Sequence, residues 1–223
     1  DMQGRIPELA ELGKRPSESG QTMEHSMIAA RARVLSSAGV DTRRAWNAEV
    51  EPGYLGKLAT AQQVGALYGA SFAAMRQRDF AQANSLWRLL QERTRADSNA
   101  ARLTRLLGAE IALVQGDRAR AMEILHGTSS QVTTALSPTG DTRAELFLTV
   151  QAQQDTNPVA ATQSLQTWVA EHPKDAGAWQ LLATIYAEQG RTVGAIRAQA
   201  EMNVAQLDLA AALTRFKAAQ DMV

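Results

Sequence analysis

The chain has 223 residues, of which 45% are hydrophobic and only 5% aromatic, and its 23 basic residues balance 23 acidic ones. This length and composition suffice for a substantial buried core. The zero net charge argues against a surface that concentrates nucleic acid, and no apolar run approaches the roughly 18 residues of a membrane span. Cysteine is absent, which excludes disulfide bonds and thiolate metal sites.

The first sixty residues are irregular. A polar break from Pro16 to Gly20 follows a short helix-like piece, so residues 1–20 are interpreted as a linker or the tail of a preceding domain. Residues 21–60 are interpreted as a helical linker, with one helix from near Thr22 to Gly39. That helix carries an apolar stripe of Met23, Met27, Ala30 and Val34.

The chain becomes regular over residues 61–223, where helical segments alternate with short breaks rich in Gly, Asp, Asn or Pro. Four breaks begin at Arg78, Gly116, Asn157 and Gly190. Each is followed within a few residues by an alanine, and these are Ala83, Ala121, Ala161 and Ala195. The alanines are spaced 38, 40 and 34 residues apart. The spacings of 38 and 40 predict longer inter-repeat loops, which we expect at residues 93–99 and 127–140.

This spacing is close to the 34-residue period of tetratricopeptide (TPR) repeats, in which paired helices cross at a small residue. The last repeat resembles the TPR consensus through Trp179, Leu182-Ala183, Tyr186, Gly190 and Ala195. The sequence therefore predicts an all-α fold, a TPR-like α-solenoid of antiparallel helix pairs with an N-terminal helical extension and about four repeats.

The layout also resembles the C-terminal TPR region of BepA-type periplasmic zinc metallopeptidases, in which an HExxH peptidase domain precedes the array. The similar segments are Ala29 to Leu35, Gly39 to Asp41 and Gly177 to Ala183. The resemblance implies a periplasmic location and a role in envelope and outer-membrane protein quality control. It implies partners among outer-membrane assembly proteins or the chain's own peptidase domain, and zinc only in that domain.

Catalytic signatures are missing from this chain. It has no HExxH, and His25, His126 and His172 are too far apart to form the helical pair that binds zinc. Gly65 and Gly69 lie four residues apart within a helix, and a close helix crossing explains them better than a phosphate loop does. We therefore expect no catalytic residue, metal or cofactor here.

The inner helix of each repeat should supply a concave binding face. The candidate partner-binding residues are Tyr68, Phe72, Met75, Arg76, Leu106, Glu110, Leu146, Val150, Gln180 and Thr184. A carboxylate clamp needs Lys and Asn donors, whereas Phe72, Glu110, Val150 and Thr184 occupy the Asn-type positions. The face is expected to be apolar with polar spots, suited to a protein or peptide. Trp46 lies outside the array and should pack the linker onto it or meet a partner.

The leading hypothesis is a non-catalytic module that binds clients or partners for such a metallopeptidase. Two alternatives stay open: a stand-alone TPR scaffold or secretion-system adaptor, and a hydrolase with an unrecognised site. The last helix, with an apolar stripe of Leu209, Leu213 and Phe216, needs cover from a further repeat or a partner.

Overall fold

The computed structural model describes residues 22–36, 40–126 and 143–222, and these ranges contain twelve helices and no strand. The all-α prediction is confirmed. The predicted tail at residues 1–20 and the predicted loop at residues 127–140 lie outside the described residues. The helices are α1 (Met23–Ser36), α2 (Val40–Glu49), α3 (Pro52–Leu55), α4 (Thr60–Arg76), α5 (Phe80–Thr94), α6 (Ser98–Gln115), α7 (Arg118–His126), α8 (Arg143–Gln153), α9 (Pro158–Glu171), α10 (Ala176–Glu188), α11 (Thr192–Ala205) and α12 (Leu209–Gln220).

The chain divides into two compact units, Asp1–Thr104 and Arg105–Val223, with the division inside α6. In the first unit, α1, α2 and α5 all pack on α4. In the second, each helix from α7 to α12 packs against the next helix along the chain. The segment predicted as a helical linker is therefore part of the first unit, because α1 and α2 lie directly on α4.

Helix α4 is enclosed by its neighbours. All residues from Val64 to Met75 are buried, although an amphipathic helix would leave one face exposed. The sequence permits this because more than half of those residues are Gly, Ala or Ser, which let surrounding helices approach closely.

Two glycines of α4 mark its closest contacts. A Cβ atom built on Gly65 would lie 3.0 Å from the Cβ and carbonyl oxygen of Ser26 in α1. A Cβ on Gly69 would lie only 2.2 Å from the Trp46 ring of α2. The close-crossing interpretation of these glycines is confirmed, and Trp46, which is 3% exposed, packs α2 onto α4.

One turn geometry ends four of the helices. The residues at these turns have positive φ, and they are Arg78, Gly116, Gly190 and Leu207. In each turn the next residue donates its N–H to the carbonyl five residues earlier, at 2.8 to 3.0 Å, as in a Schellman motif. In three of them that next residue is an aspartate whose carboxylate caps the following helix: Asp79, Asp117 and Asp208.

All four predicted breaks lie between two helices. The alanine after each break is buried, with Ala83, Ala121 and Ala161 fully enclosed and Ala195 5% exposed. A small side chain is needed at these positions because each lies on the second helix of a pair, against its neighbour.

Candidate partner-binding groove

Six of the ten predicted binding residues are not open to a partner in this structure. Tyr68, Phe72, Met75, Leu106, Leu146 and Val150 are all buried. The expectation that these six side chains line an exposed concave face is therefore wrong, for reasons that differ between the two units.

In the first unit, helix α1 covers the predicted face of α4. The Arg31 guanidinium lies 4.2 Å from the centre of the Phe72 ring and donates a hydrogen bond of 3.1 Å to the Tyr68 hydroxyl. In the second unit, Leu146 and Val150 are part of the hydrophobic core that includes residues of α9 and α10.

The other predicted positions are more accessible. Arg76, in the first unit, and Gln180 and Thr184, in the second, are exposed, and Glu110 is half-buried. The Thr184 hydroxyl bonds the Gln180 carbonyl within α10 at 3.1 Å. These side chains are polar, so they do not form the apolar face expected from the sequence.

An open groove in the second unit has the apolar character that the predicted face lacks. It runs between α9 and α11, over one side of α10, and encloses about 630 Å³. Its accessible apolar lining consists of Ala170, Pro173 and Trp179, over a floor of the buried residues Val169, Leu182 and Ala198. The sequence prediction did not include this groove, because only the inner helix of each repeat was expected to bind. The small residues Gly194 and Ala198, four positions apart on α11, indicate a helix face with short side chains.

The largely buried Tyr186 ring is part of the lining of this groove. Its hydroxyl accepts a hydrogen bond of 2.6 Å from the Gln166 side chain of α9. The Arg191 guanidinium lies over the same ring, 4.3 Å from its centre. Gln166 and Arg191 also line a second cavity of about 470 Å³, with Val159 and Gln163. The groove therefore continues along most of α9.

Two arginines give the groove its charge. Arg191 and Arg197 both line it, and neither forms an ion pair with a carboxylate among the described residues. Glu201 lines the same wall one helical turn beyond Arg197. The α11 wall thus presents two positive charges followed by one negative charge.

A hydrogen-bonded cluster holds the helices that form the groove. Asp175 precedes α10, and its carboxylate accepts from the Ala178 N–H at 3.1 Å, capping the helix. It also accepts from Arg143 of α8 at 2.7 and 2.9 Å and from the Trp168 indole of α9 at 3.0 Å.

These contacts keep the pKa of Asp175 well below its usual range. The hydrogen bonds from Arg143 contribute most to this lowering, and those from Trp168 and Ala178 add to it. Burial opposes the shift, and the same pairing raises the pKa of Arg143. Three helices therefore meet at one ionised carboxylate.

A smaller cavity of about 280 Å³ lies in the first unit, lined in part by Ser26, Arg33, Glu49 and Tyr54. Arg33 and Glu49 form an ion pair of 2.6 Å across it. The buried Ser26 hydroxyl finds no hydrogen-bond partner in the part of the chain that the structure describes.

Within residues 22–36, 40–126 and 143–222, no three His, Asp or Glu side chains converge as metal ligands would. No helix in those ranges is both long enough and apolar enough to cross a membrane. His172 stacks on the Trp168 ring, with the ring centres 3.9 Å apart.

No protein-family model matches the chain, and no curated protein matches it either. Over the described residues, the fold defines an all-helical protein in which successive helices pack on one another, with a groove between α9 and α11 of its second unit.

Proposed function

We propose that this chain is a protein-binding module of the TPR type and that its binding surface is the groove between α9 and α11. The observation that carries the proposal is the groove itself, which is open, has an apolar lining and carries unpaired charge. Grooves of this composition bind amphipathic segments of other proteins, because the lining supplies apolar contact and the charges supply orientation.

The TPR assignment is supported by the roles of the consensus residues in the last repeat. Leu182, Ala183 and Tyr186 are buried in the core of the second unit, and Trp179 packs against that core. Gly190 forms the left-handed turn between α10 and α11, with φ of 71°. Ala195 is buried on α11, at the small-residue position of the repeat.

The context that the family resemblance implies belongs to the same proposal. The module serves a periplasmic zinc metallopeptidase of the BepA type by holding clients or outer-membrane assembly partners for a peptidase domain. An HExxH motif encoded in frame ahead of Asp1 supports this context. A gene that encodes only a repeat protein contradicts it, while leaving the binding proposal intact.

The binding proposal is tested by site-specific photo-crosslinking in cells that express the whole protein. One crosslinking residue replaces Ala170 in the groove, and another replaces Thr184 on the face predicted from sequence. We expect a protein adduct from position 170 that disappears when Gln166→Trp, at an exposed residue of the lining, fills the groove. Adducts from position 184 alone assign binding to the concave face, and no adduct from either position contradicts a binding function.

A further inference from the structure

We propose that the groove between α9 and α11 binds an amphipathic helix whose apolar face is edged by acidic residues. This inference rests on the proposed protein-binding function and adds the chemistry of the partner. It is carried by Arg191 and Arg197, which have no carboxylate partner in the part of the chain that the structure describes, and by the helical character of both walls.

The partner is helical because the groove offers no backbone groups for pairing. Both walls are helices, whose interior N–H and C=O groups are bonded internally, and the described residues contain no strand edge to which an extended peptide could add. A helical segment is favoured because it bonds its own backbone groups and needs none from the groove. α9 has 14 residues and is about 21 Å long, which matches four turns of a docked helix.

The partner is acidic because Arg191 and Arg197 form no ion pair with a carboxylate among the described residues. Arg191 directly precedes α11 and Arg197 lies six residues further on, which corresponds to about 9 Å along the helix axis. Two carboxylates seven residues apart on a helix face are separated by about 10.5 Å, close enough for each to meet one guanidinium. Arg191 is already ordered by its contact with the Tyr186 ring, so pairing costs it little further side-chain entropy.

Glu201 gives the site a direction. It lies four residues beyond Arg197, about 6 Å further along α11, and disfavours a third carboxylate at that point. The complementary helix therefore carries an acidic residue facing Arg191, a second acidic residue facing Arg197, and a basic or neutral residue facing Glu201. Its apolar side chains, at three- and four-residue steps, contact the accessible apolar lining at Ala170, Pro173 and Trp179.

The test measures peptide binding by fluorescence anisotropy with the full 223-residue chain. The probes are two labelled 18-residue amphipathic helical peptides with the same apolar face, one edged with glutamate and the other with lysine. They are titrated into the wild type, Arg197→Glu and Arg191→Glu/Arg197→Glu. Arg88→Glu, an exposed arginine in the first unit, is the control with the same charge change.

We expect the wild type to bind the glutamate peptide at least about tenfold more tightly than the lysine peptide, and added salt to weaken that binding. Arg197→Glu should remove most of the difference, and the double variant should reverse it. Arg88→Glu should behave as the wild type, and circular dichroism should show equal helix content in all variants.

Equal affinity for the two peptides, or an Arg197→Glu result that matches Arg88→Glu, overturns the inference. If neither peptide binds while position 170 still crosslinks to a partner, the acidic-helix inference fails and the binding function stands. If neither peptide binds and no crosslink forms, both proposals fail.

Discussion

The guanidinium of Arg143 and the carboxylate of Asp175 form a two-pronged ion pair, with Nε–Oδ2 at 2.7 Å and Nη2–Oδ1 at 2.9 Å. The pair links the first residue of α8 to the residue that caps α10. Gly177 leaves room for it, because a Cβ there would lie 2.4 Å from Arg143 Nη2. Charge-assisted pairs with this geometry are stronger than ordinary surface pairs.

Replacing Asp175 with asparagine should destabilise the second unit by about 1–2 kcal/mol at pH 7. Asparagine still caps α10, so the loss of stability measures the contribution of the charge, whereas Asp175→Ala also removes the cap and costs about 1 kcal/mol more.

The folded-state pKa of Asp175 lies below the ordinary aspartate value of about 3.9. Its contribution is therefore complete above that value and falls as the pH drops towards the folded pKa. Urea unfolding from pH 7 to pH 2 should show the gap between wild type and Asp175→Asn narrowing below about pH 4. If the difference in unfolding free energy between wild type and Asp175→Asn stays constant with pH, the ion pair is not the origin of the lost stability.

Gly69→Ala should destabilise the first unit by about 1–3 kcal/mol, because the new methyl group overlaps the Trp46 ring. The same substitution in a Trp46→Ala background should be neutral or stabilising by up to about 1 kcal/mol, since alanine favours a helix more than glycine does. A double-mutant cycle by urea unfolding measures this coupling. Additive effects would show that Trp46 does not press on Gly69 in solution.

Two buried serines of the first unit should respond differently to alanine. The Ser71 hydroxyl donates 2.9 Å to the Ala83 carbonyl between α4 and α5, so Ser71→Ala should cost about 1–2 kcal/mol. Ser26→Ala should be neutral or slightly stabilising, because its hydroxyl is buried without a partner among the described residues. Thermal unfolding of both variants makes the comparison. Equal losses would mean that Ser26 has acquired a partner, such as a bound water molecule.

At the left-handed turns, removing a glycine should destabilise the fold and introducing one should stabilise it. Gly190→Ala should cost about 1 kcal/mol, because φ is 71° and nothing lies within 4 Å of the added Cβ, which leaves backbone strain as the only cause. Leu207→Gly, at φ of 64° and with an 83% exposed side chain, should gain up to about 1 kcal/mol. Chemical unfolding of both variants, with Leu207→Ala as the control that keeps the strain, tests the assignment. A gain in Leu207→Ala equal to that in Leu207→Gly would assign the effect to the lost apolar side chain instead.

The helix breaks and the buried alanines could be predicted from the sequence because both depend on local chemistry. A left-handed turn at Gly116 or Gly190 and an aspartate cap at Asp79 involve only a few neighbouring residues. The repeated alanines could also be identified, because one crossing geometry recurs at nearly constant spacing.

The open face could not be predicted in the same way. Val150 has the spacing of a concave-face residue, yet it is fully buried, because exposure depends on which other helices lie against α8. The groove has a similar origin. Gln166 of α9 and Arg197 of α11 line the same groove only because α10 packs between their helices. Twelve consecutive buried residues in α4 likewise require three packing partners that periodicity within one helix does not reveal.

The enclosure of α4 sets the order in which the first unit can open. Its amides from Val64 to Met75 can exchange with solvent deuterium only after at least one neighbouring helix detaches, so they should be the most slowly exchanging amides in that unit. Helix α4 is then the last element of the unit to lose its structure, and a destabilising substitution there lowers the free energy of complete unfolding rather than that of local fraying.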